Sequence, residues 1–215
     1  MIKLAAALLL ASFVAAASAA TPAPRLPPVD QCAAKPGFKI YKDALKRSVD
    51  RRNGDGLLAL LAPDVLVNFG GESGRDAFAR EWDLKAGVPE ELWKQLAGIL
   101  ALGCAKSTGV LVIPSMASQF DSDADEGALD KLVVISSSAE LRAAPDSASA
   151  RVASLSWDVV TALERRHQDD WVKVQLADGR KGWVAGSQMR SPLDYRAIIE
   201  KRDGRWMITA FVAGD

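Results

Sequence analysis

The sequence is poor in the residues on which many catalytic and metal sites depend. It has one histidine, two cysteines and a 7% share of aromatic residues. Zinc sites are built mainly from cysteine and histidine, so one histidine and two distant cysteines argue against zinc. Basic and acidic residues balance at 27 each, so no net charge attracts the chain to nucleic acid or anionic lipid. We therefore expect no metal, no cofactor and no nucleic-acid partner.

A long apolar run occurs only at the start of the chain. "MIKLAAALLLASFVAAASAA", residues 1–20, places Lys3 before an uncharged stretch that ends in small residues. This pattern is typical of a cleaved signal peptide. A membrane anchor is the alternative, but the run is short and rich in alanine for a bilayer span. We expect a periplasmic or secreted mature protein without a membrane span.

The segment that follows, residues 21–37, is rich in proline and predicts an extended linker. Cys32 near its end and Cys104 are the two cysteines, and in an oxidising compartment an even pair predicts a disulfide. Such a bond would close a loop of about 70 residues and stabilise the fold by about 4 kcal/mol through the chain entropy of the unfolded state. Two unpaired buried thiols are the alternative.

The apolar period changes along the chain. Phe38, Tyr41, Leu45 and Val49 recur at three- and four-residue spacing, which predicts a helix. After Ser136, short alternating runs bounded by turn residues predict strands. The expected fold class is α+β: a helical N-terminal region with a few strands, then a small β-barrel and a C-terminal β-hairpin. The expected boundaries are 38–136, 137–190 and 191–215, and the hairpin is a candidate to complete the first domain.

The second half of the chain resembles the bacterial SH3-like domain. The resemblance lies in "LRAAP" at 141–145, "WVKV" at 171–174 and "GWV" at 182–184, with a glycine turn between the last two. The stretch "SWDVVTALE" departs from the family, which more often has a glycine before its central strand. Independently of the family, Asp178-Gly179 between two alternating runs predicts a hairpin. The resemblance implies a small barrel that engages peptidoglycan peptides or an envelope protein.

The first half more faintly resembles the nuclear transport factor 2-like superfamily of α+β cones. The resemblance lies in "NGDGLLALLAPDVLVNFGGESGRDAF", which reads as helix, Pro-Asp, strand, glycine loop and helix, and in "RWMITAFVAG" as a closing strand. If both resemblances hold, the SH3-like domain is inserted before the last hairpin of the cone. The chain as a whole resembles exported SH3-domain proteins of Gram-negative bacteria.

One acidic loop approaches a calcium motif and then departs from it. Asp121, Asp123 and Asp125 match the opening of a calcium loop. Glu126 and Leu132 stand at its sixth and twelfth positions, where the motif needs glycine and glutamate. We therefore expect a solvated loop between strands and no metal site.

Nucleophilic catalysis has little support in the sequence. "GGESGR" lacks the last glycine of the G-x-S-x-G motif, because Arg75 stands there. The only imidazole is His167, in the hydrophilic stretch "RRHQDD". A pairing of Ser73 or a cysteine with His167 is therefore not expected. The Cys–His motif of a cell-wall peptidase is also missing.

Acid–base chemistry is the remaining enzymatic hypothesis. Asp64, Glu72, Asp76 and Glu81 lie near the predicted strand, loop and helix of the cone-like region. These carboxyl groups could act as general acids or bases if burial raised the pKa of one of them. The structural alternative for Asp76 is the first turn of a helix, where a carboxylate is favourable in any case.

Three tryptophans are candidates for a binding face on the SH3-like domain, since aromatic side chains can line grooves for extended peptides. They are Trp157, Trp171 and Trp183, with Asp169 and Asp170 as nearby acids. Core packing is the alternative for Trp171 and Trp183, and Trp157 is expected to be the more exposed.

The sequence therefore predicts an exported, non-enzymatic binding protein whose SH3-like domain engages cell-envelope material. One alternative is a small enzyme with an acid-lined pocket in residues 38–136 and the SH3-like domain as a targeting module. Another is a structural protein in which the edges of the barrel pair with a second chain.

Overall fold

A computed structural model describes residues 24–85, 87, 89–120, 128–163 and 171–214. The predicted signal peptide lies outside these residues, and so do several residues weighed as candidates from the sequence: Asp121, Asp123, Asp125, Glu126, His167, Asp169 and Asp170.

The described α-helices all fall in the first half of the chain, as the apolar period predicts. They are α1 (Phe38–Asp50), α2 (Gly54–Leu58), α3 (Arg75–Glu81) and α4 (Glu90–Ala101). Their apolar faces pack into one core, in which Phe38, Leu45, Phe78 and Leu96 are almost fully buried. In the part of the chain that the structure describes, no helix is long and apolar enough to cross a bilayer.

A five-stranded sheet packs against these helices, in the order β1-β12-β11-β3-β2. Its strands are β1 (Leu61–Leu66), β2 (Ala105–Ser107), β3 (Val110–Ile113), β11 (Arg196–Arg202) and β12 (Arg205–Val212). The C-terminal hairpin β11–β12 therefore lies at the centre of the sheet formed with strands of the first half. Ile199, Ile208 and Phe211 of this hairpin belong to the helical core.

A second sheet of seven strands has the order β10-β4-β7-β8-β9-β5-β6. Its strands are β4 (Lys131–Val134), β5 (Ala139–Arg142), β6 (Arg151–Leu155), β7 (Val159–Ala162), β8 (Trp171–Gln175), β9 (Lys181–Ala185) and β10 (Met189–Arg190). Its apolar side forms a separate core that includes Leu141, Val174 and Val184, all fully buried.

Two features of this second sheet differ from the sequence-based expectation. The sheet is not closed into a barrel in the described residues, because β10 and β6 remain its two edges. Strand β4 falls before the expected boundary at residue 137, yet it pairs with β7 and β10. The alternation of Leu132 and Val134 toward the second core explains this pairing, so the second sheet includes a strand that precedes residue 137.

The proline-rich segment makes defined contacts with the rest of the chain. Residues 24–31, which we name the strap, pair with the turn before β7 at one end and with Cys104 at the other. Cys32 follows directly and forms a disulfide with Cys104. The N–H of Cys104 donates to the carbonyl of Val29 at 2.7 Å, and the N–H of Gln31 donates to the carbonyl of Cys104 at 2.8 Å. The strap therefore contacts both sheets.

Candidate functional site

The outer face of the β8–β9 hairpin carries two of the three candidate tryptophans of the SH3-like region, Trp171 and Trp183. In β8, Val172 and Val174 are buried while Trp171 and Lys173 are half-buried on the opposite side. This alternation follows from the period of two along a strand. Trp183 occupies the same outer side of β9, so neither tryptophan lies in the apolar core of the second sheet.

Strand register places three outer side chains in one row across the sheet. Lys173 pairs with Trp183 across β8 and β9, and Trp183 pairs with Arg142 across β9 and β5. The Nζ atom of Lys173 lies 5.6 Å from the centre of the Trp183 ring, within the range of a cation–π interaction. The row Lys173–Trp183–Arg142 therefore combines an aromatic face with two cations. We name these three residues the tryptophan row.

Arg142 is held in place by its own strand and by the following turn. It forms an ion pair with Glu140 and donates from Nη1 to the carbonyl of Ser149 at 2.5 Å. Glu140 also contacts Arg151 of β6, with 3.4 Å between Nη1 and Oε1. Two arginines thus surround one carboxylate, which leaves this part of the outer face with an excess of positive charge.

The turn between β8 and β9 is fixed by local hydrogen bonds. Arg180 donates from Nε to Asp178 at 2.8 Å, and its backbone N–H donates to Asp178 at 3.1 Å. The hydrogen bond from the Arg180 side chain holds the pKa of the Asp178 carboxyl below its ordinary value. Gly179 has φ 86°, a conformation that costs glycine little. The turn therefore holds β9, and Trp183 with it, in a defined register.

Trp157 lies in a different environment from the other two tryptophans. It is half-buried in the turn between β6 and β7, with φ 61°. Its carbonyl accepts a hydrogen bond from the N–H of Leu26 at 2.8 Å. Among the described residues, no ring contact joins it to Trp171 or Trp183. The structure thus separates the predicted tryptophans into two residues of the β8–β9 hairpin and one residue whose backbone carbonyl bonds to the strap, and it does not describe Asp169 or Asp170.

The four acids considered for catalysis lie on the outer surface of the first unit. Asp64, Glu72, Asp76 and Glu81 are all exposed. Asp64 pairs with Arg202 at 2.8 Å, and this hydrogen bond lowers the pKa of its carboxyl. An open cavity of about 410 Å³ includes only Asp76 of the four, beside Ala79, Arg80, Asp83 and Lys85. No enclosed pair of these carboxylates exists in the described residues.

Metal chemistry has no candidate centre in the described ranges either. No cluster of three or more histidine, cysteine, aspartate or glutamate side chains suited to a metal ion occurs there. The acidic loop 121–127 lies outside those ranges.

Sequence reasoning did not identify Lys173 and Arg142 as part of the candidate face. Both alternate with core residues, so a period of two places them on the outer side with the tryptophans. Their position beside Trp183 depends on the register of β8, β9 and β5. Predicting the register of β8 and β9 requires the length of the turn between them.

Comparison with known proteins identifies the second unit. Residues 137–189 match the family described as Bacterial SH3 domain. No curated protein matches the chain.

Several solved structures are similar to the chain at low identity. A cystatin-like protein of unknown function from Nostoc punctiforme is 9% identical, with 86% of this chain and 92% of that chain covered and a TM-score of 0.26. A putative calcium/calmodulin dependent protein kinase II association domain from Xanthomonas campestris is 14% identical, with 92% and 98% covered and a TM-score of 0.27. A substituted form of a protein named Rd1NTF2_05 is 14% identical, with 83% and 96% covered and a TM-score of 0.26.

The sequence match at 137–189 and the strands of the second sheet fall on the same segment of the chain. Residues 137–189 are a bacterial SH3 domain, a type of domain associated with binding and with the cell wall.

Proposed function

We propose that this is an exported, non-enzymatic protein whose SH3 domain binds cell-envelope material, either a peptidoglycan peptide or an envelope protein. The observation that carries the proposal is the tryptophan row on the outer face of the domain. Trp183 keeps part of its ring accessible while Lys173 and Arg142 supply charge on either side. An extended peptide can pack on the accessible part of such a ring, as extended peptides do in aromatic-lined grooves.

Export is supported by two independent features. Residues 1–20 have the pattern of a signal peptide. Cys32 and Cys104 form a disulfide, and structural disulfides persist mainly in oxidising compartments such as the periplasm. Both features favour a periplasmic or secreted protein.

The enzymatic alternative has less support. It requires at least two acids in an enclosed pocket, where burial could raise a pKa. Asp64, Glu72, Asp76 and Glu81 are exposed instead. Since no observation in the described residues favours catalysis by these groups, we propose a binding role alone.

The proposal is tested by co-sedimentation of the mature full-length protein with purified peptidoglycan. The test variant is Trp183→Ala, and the matched control is Trp206→Ala. Trp206 is also half-buried and also lies opposite a lysine, Lys201, but in the first sheet. We expect Trp183→Ala to weaken binding at least about tenfold, as is typical of an aromatic anchor, and Trp206→Ala to bind like the wild type.

Two results would count against the proposal. Absence of sedimentation of the wild-type protein would exclude peptidoglycan as the ligand. An equal loss in both tryptophan variants, with thermal unfolding showing both folded, would exclude the tryptophan row as the binding face.

A further inference from the structure

The strap occupies a piece of sheet edge that the neighbouring strand leaves uncovered. β8 pairs with β7 at Thr161 and Ala162. The residues just before and at the start of β7 bond to the strap on the side that faces β8 further along. There the carbonyl of Trp157 accepts from the N–H of Leu26 at 2.8 Å, and the N–H of Val159 donates to the carbonyl of Pro24 at 2.9 Å. The carbonyl of Asp158 faces the other way, toward the N–H of Val134, as alternation along a strand requires. Residues 24–26 thus continue the line of β8.

A buried carboxylate lies at the centre of this edge. Asp158 is only 5% exposed. One of its oxygens accepts from Nε of Arg25 at 3.3 Å, and the other accepts from the N–H of Ser156 at 2.5 Å. Burial makes an unpaired charge costly, so this carboxylate strongly favours a cationic partner. In this structure the cationic partner is the guanidinium of Arg25, which donates from Nε.

The composition of the strap explains why it fits this edge. Pro24, Pro27 and Pro28 lack an N–H group and favour extended backbone. The donors that remain between them are those of Arg25 and Leu26, and the Leu26 N–H is the one that bonds to Trp157. A short extended sequence with arginine at its centre is therefore matched to the edge by both backbone and side chain.

We propose that residues Trp157–Val159 form a peptide-binding site for an extended, proline-flanked sequence that carries arginine, and that the strap occupies this site as an intramolecular ligand. The mode of binding is addition of a strand to a sheet edge, with main-chain hydrogen bonds for affinity and the Arg–Asp158 pair for specificity. The site is distinct from the tryptophan row and does not depend on the function proposed above.

The disulfide that follows the strap explains why the strap stays bound to its site although few residues make the contact. Cys32, bonded to Cys104, follows the strap directly. A short tether gives an effective concentration in the millimolar range, so a free peptide of similar intrinsic affinity does not displace the strap. Binding of an external peptide requires a strap that has lost its own contacts.

The test uses the mature full-length chain with the double substitution Arg25→Ala and Leu26→Pro, which removes the arginine and the N–H donor but leaves the disulfide. The probe is a fluorescein-labelled peptide Pro-Arg-Leu-Pro-Pro-Val, and the matched control peptide has alanine in place of arginine. Fluorescence anisotropy measures binding. We expect the variant to bind the arginine peptide at least about tenfold more tightly than the alanine peptide, because the alanine peptide leaves the buried Asp158 carboxylate without a cationic partner. We also expect the variant to bind the arginine peptide more tightly than the wild-type protein binds either peptide.

Equal affinity of the variant for both peptides, or no binding of either at millimolar concentration by a folded variant, would overturn the proposal.

Trypsin provides a second test in single variants, because it cleaves the Arg25–Leu26 bond only when the strap leaves the edge. We expect Asp158→Asn to accelerate this cleavage at least about tenfold. Asp178→Asn, which alters an exposed ion pair in the same domain, is expected to leave the rate unchanged. Equal cleavage in the wild type and Asp158→Asn would refute the role of the carboxylate.

Discussion

Lys173 lies directly opposite Trp183 across the β8–β9 hairpin, with its Nζ atom 5.6 Å from the centre of the indole ring. The C-terminal hairpin contains the same kind of pair, Lys201 opposite Trp206, at 5.8 Å. The two pairs have similar geometry in different surroundings. Nε1 of Trp206 donates to the carbonyl of Pro36 at 3.1 Å, and its ring contacts Phe38 edge-on. Trp206 thus helps to stabilise the first unit, whereas no hydrogen bond from Nε1 and no contact with another aromatic ring is found for Trp183 among the described residues.

This difference predicts that two corresponding lysine substitutions affect binding differently. Lys173→Ala removes a cation beside Trp183, so we expect it to weaken sedimentation with peptidoglycan about threefold and to reduce its dependence on salt. Lys201→Ala removes the corresponding cation from the first sheet and is expected to leave binding unchanged. Binding curves at two salt concentrations measure both effects. Equal behaviour of the two variants would mean that Lys173 does not contact the ligand.

Close packing of Gly182 predicts a loss of stability when a side chain is added. A Cβ atom at this position would lie 2.5 Å from the carbonyl oxygen of Arg142 and 2.8 Å from Cγ of Leu141. β5 would have to shift, so we expect Gly182→Ala to lower the free energy of unfolding by about 1–3 kcal/mol. Urea unfolding followed by fluorescence measures this change.

Gly98 provides the control for that substitution. It is exposed in α4, and nothing lies within 4 Å of its Cβ position. We expect Gly98→Ala to raise the free energy of unfolding by about 0.5–1 kcal/mol, because alanine loses less backbone entropy in a helix. If both variants were equally stable, the close approach of β5 to β9 would not hold in solution.

The two Asp-Gly turns, Asp178-Gly179 and Asp203-Gly204, show how much of the fold can be predicted from the sequence. Both dipeptides predict a hairpin, and both hairpins form. The second has a two-residue loop, since Arg202 pairs with Arg205. The first has a three-residue loop, since the N–H of Leu176 donates to the carbonyl of Arg180. A shift of one residue exchanges the two faces of a strand, so the pairing of Lys173 with Trp183 could not be read from the Asp-Gly signal alone.

Contacts between distant segments were the other feature that the sequence did not reveal. Proline-rich composition predicts extended backbone but gives no partner, and Arg25 meets Asp158 across a separation of 133 residues. The left-handed conformation of Trp157 is uncommon for a bulky residue, and no sequence pattern indicates it. The spacing of apolar residues, by contrast, correctly predicted the helices of the first half and the strands of the second, because burial of one face is a local property of the sequence.

Removal of the disulfide is expected to destabilise the protein strongly. Cys32 and Cys104 are fully buried and 72 residues apart, and a loop of this size corresponds to about 4 kcal/mol of unfolded-state entropy. We expect the double variant Cys32→Ser and Cys104→Ser to lose about this amount in urea unfolding and to expose the Arg25–Leu26 bond to trypsin. Addition of dithiothreitol to the wild-type protein under unfolding conditions should produce the same loss. Unchanged stability in both experiments would contradict a structural role for the bond.

A buried tyrosine predicts the behaviour of the protein at alkaline pH. Burial raises the pKa of Tyr41 far above its ordinary value of 10.0, and its hydroxyl donates to the carbonyl of Leu60 at 3.2 Å. The unfolded chain therefore loses this proton first as the pH rises above 10. The stabilisation from the neutral phenol is complete below pH 10 and declines above it. Tyr41→Phe should cost about 0.5–1.5 kcal/mol at neutral pH through the lost hydrogen bond, yet decline less steeply between about pH 10 and 12.

Urea unfolding at several pH values distinguishes this contribution from that of Tyr195. Burial, and then the charges of Glu81 and Glu91, also raise the pKa of Tyr195, so part of the alkaline decline should remain in Tyr41→Phe. Tyr195→Phe is the matched control and should remove only that remaining part. If the wild type and Tyr41→Phe declined with the same slope above pH 10, the Tyr41 hydroxyl would not be buried in the folded protein.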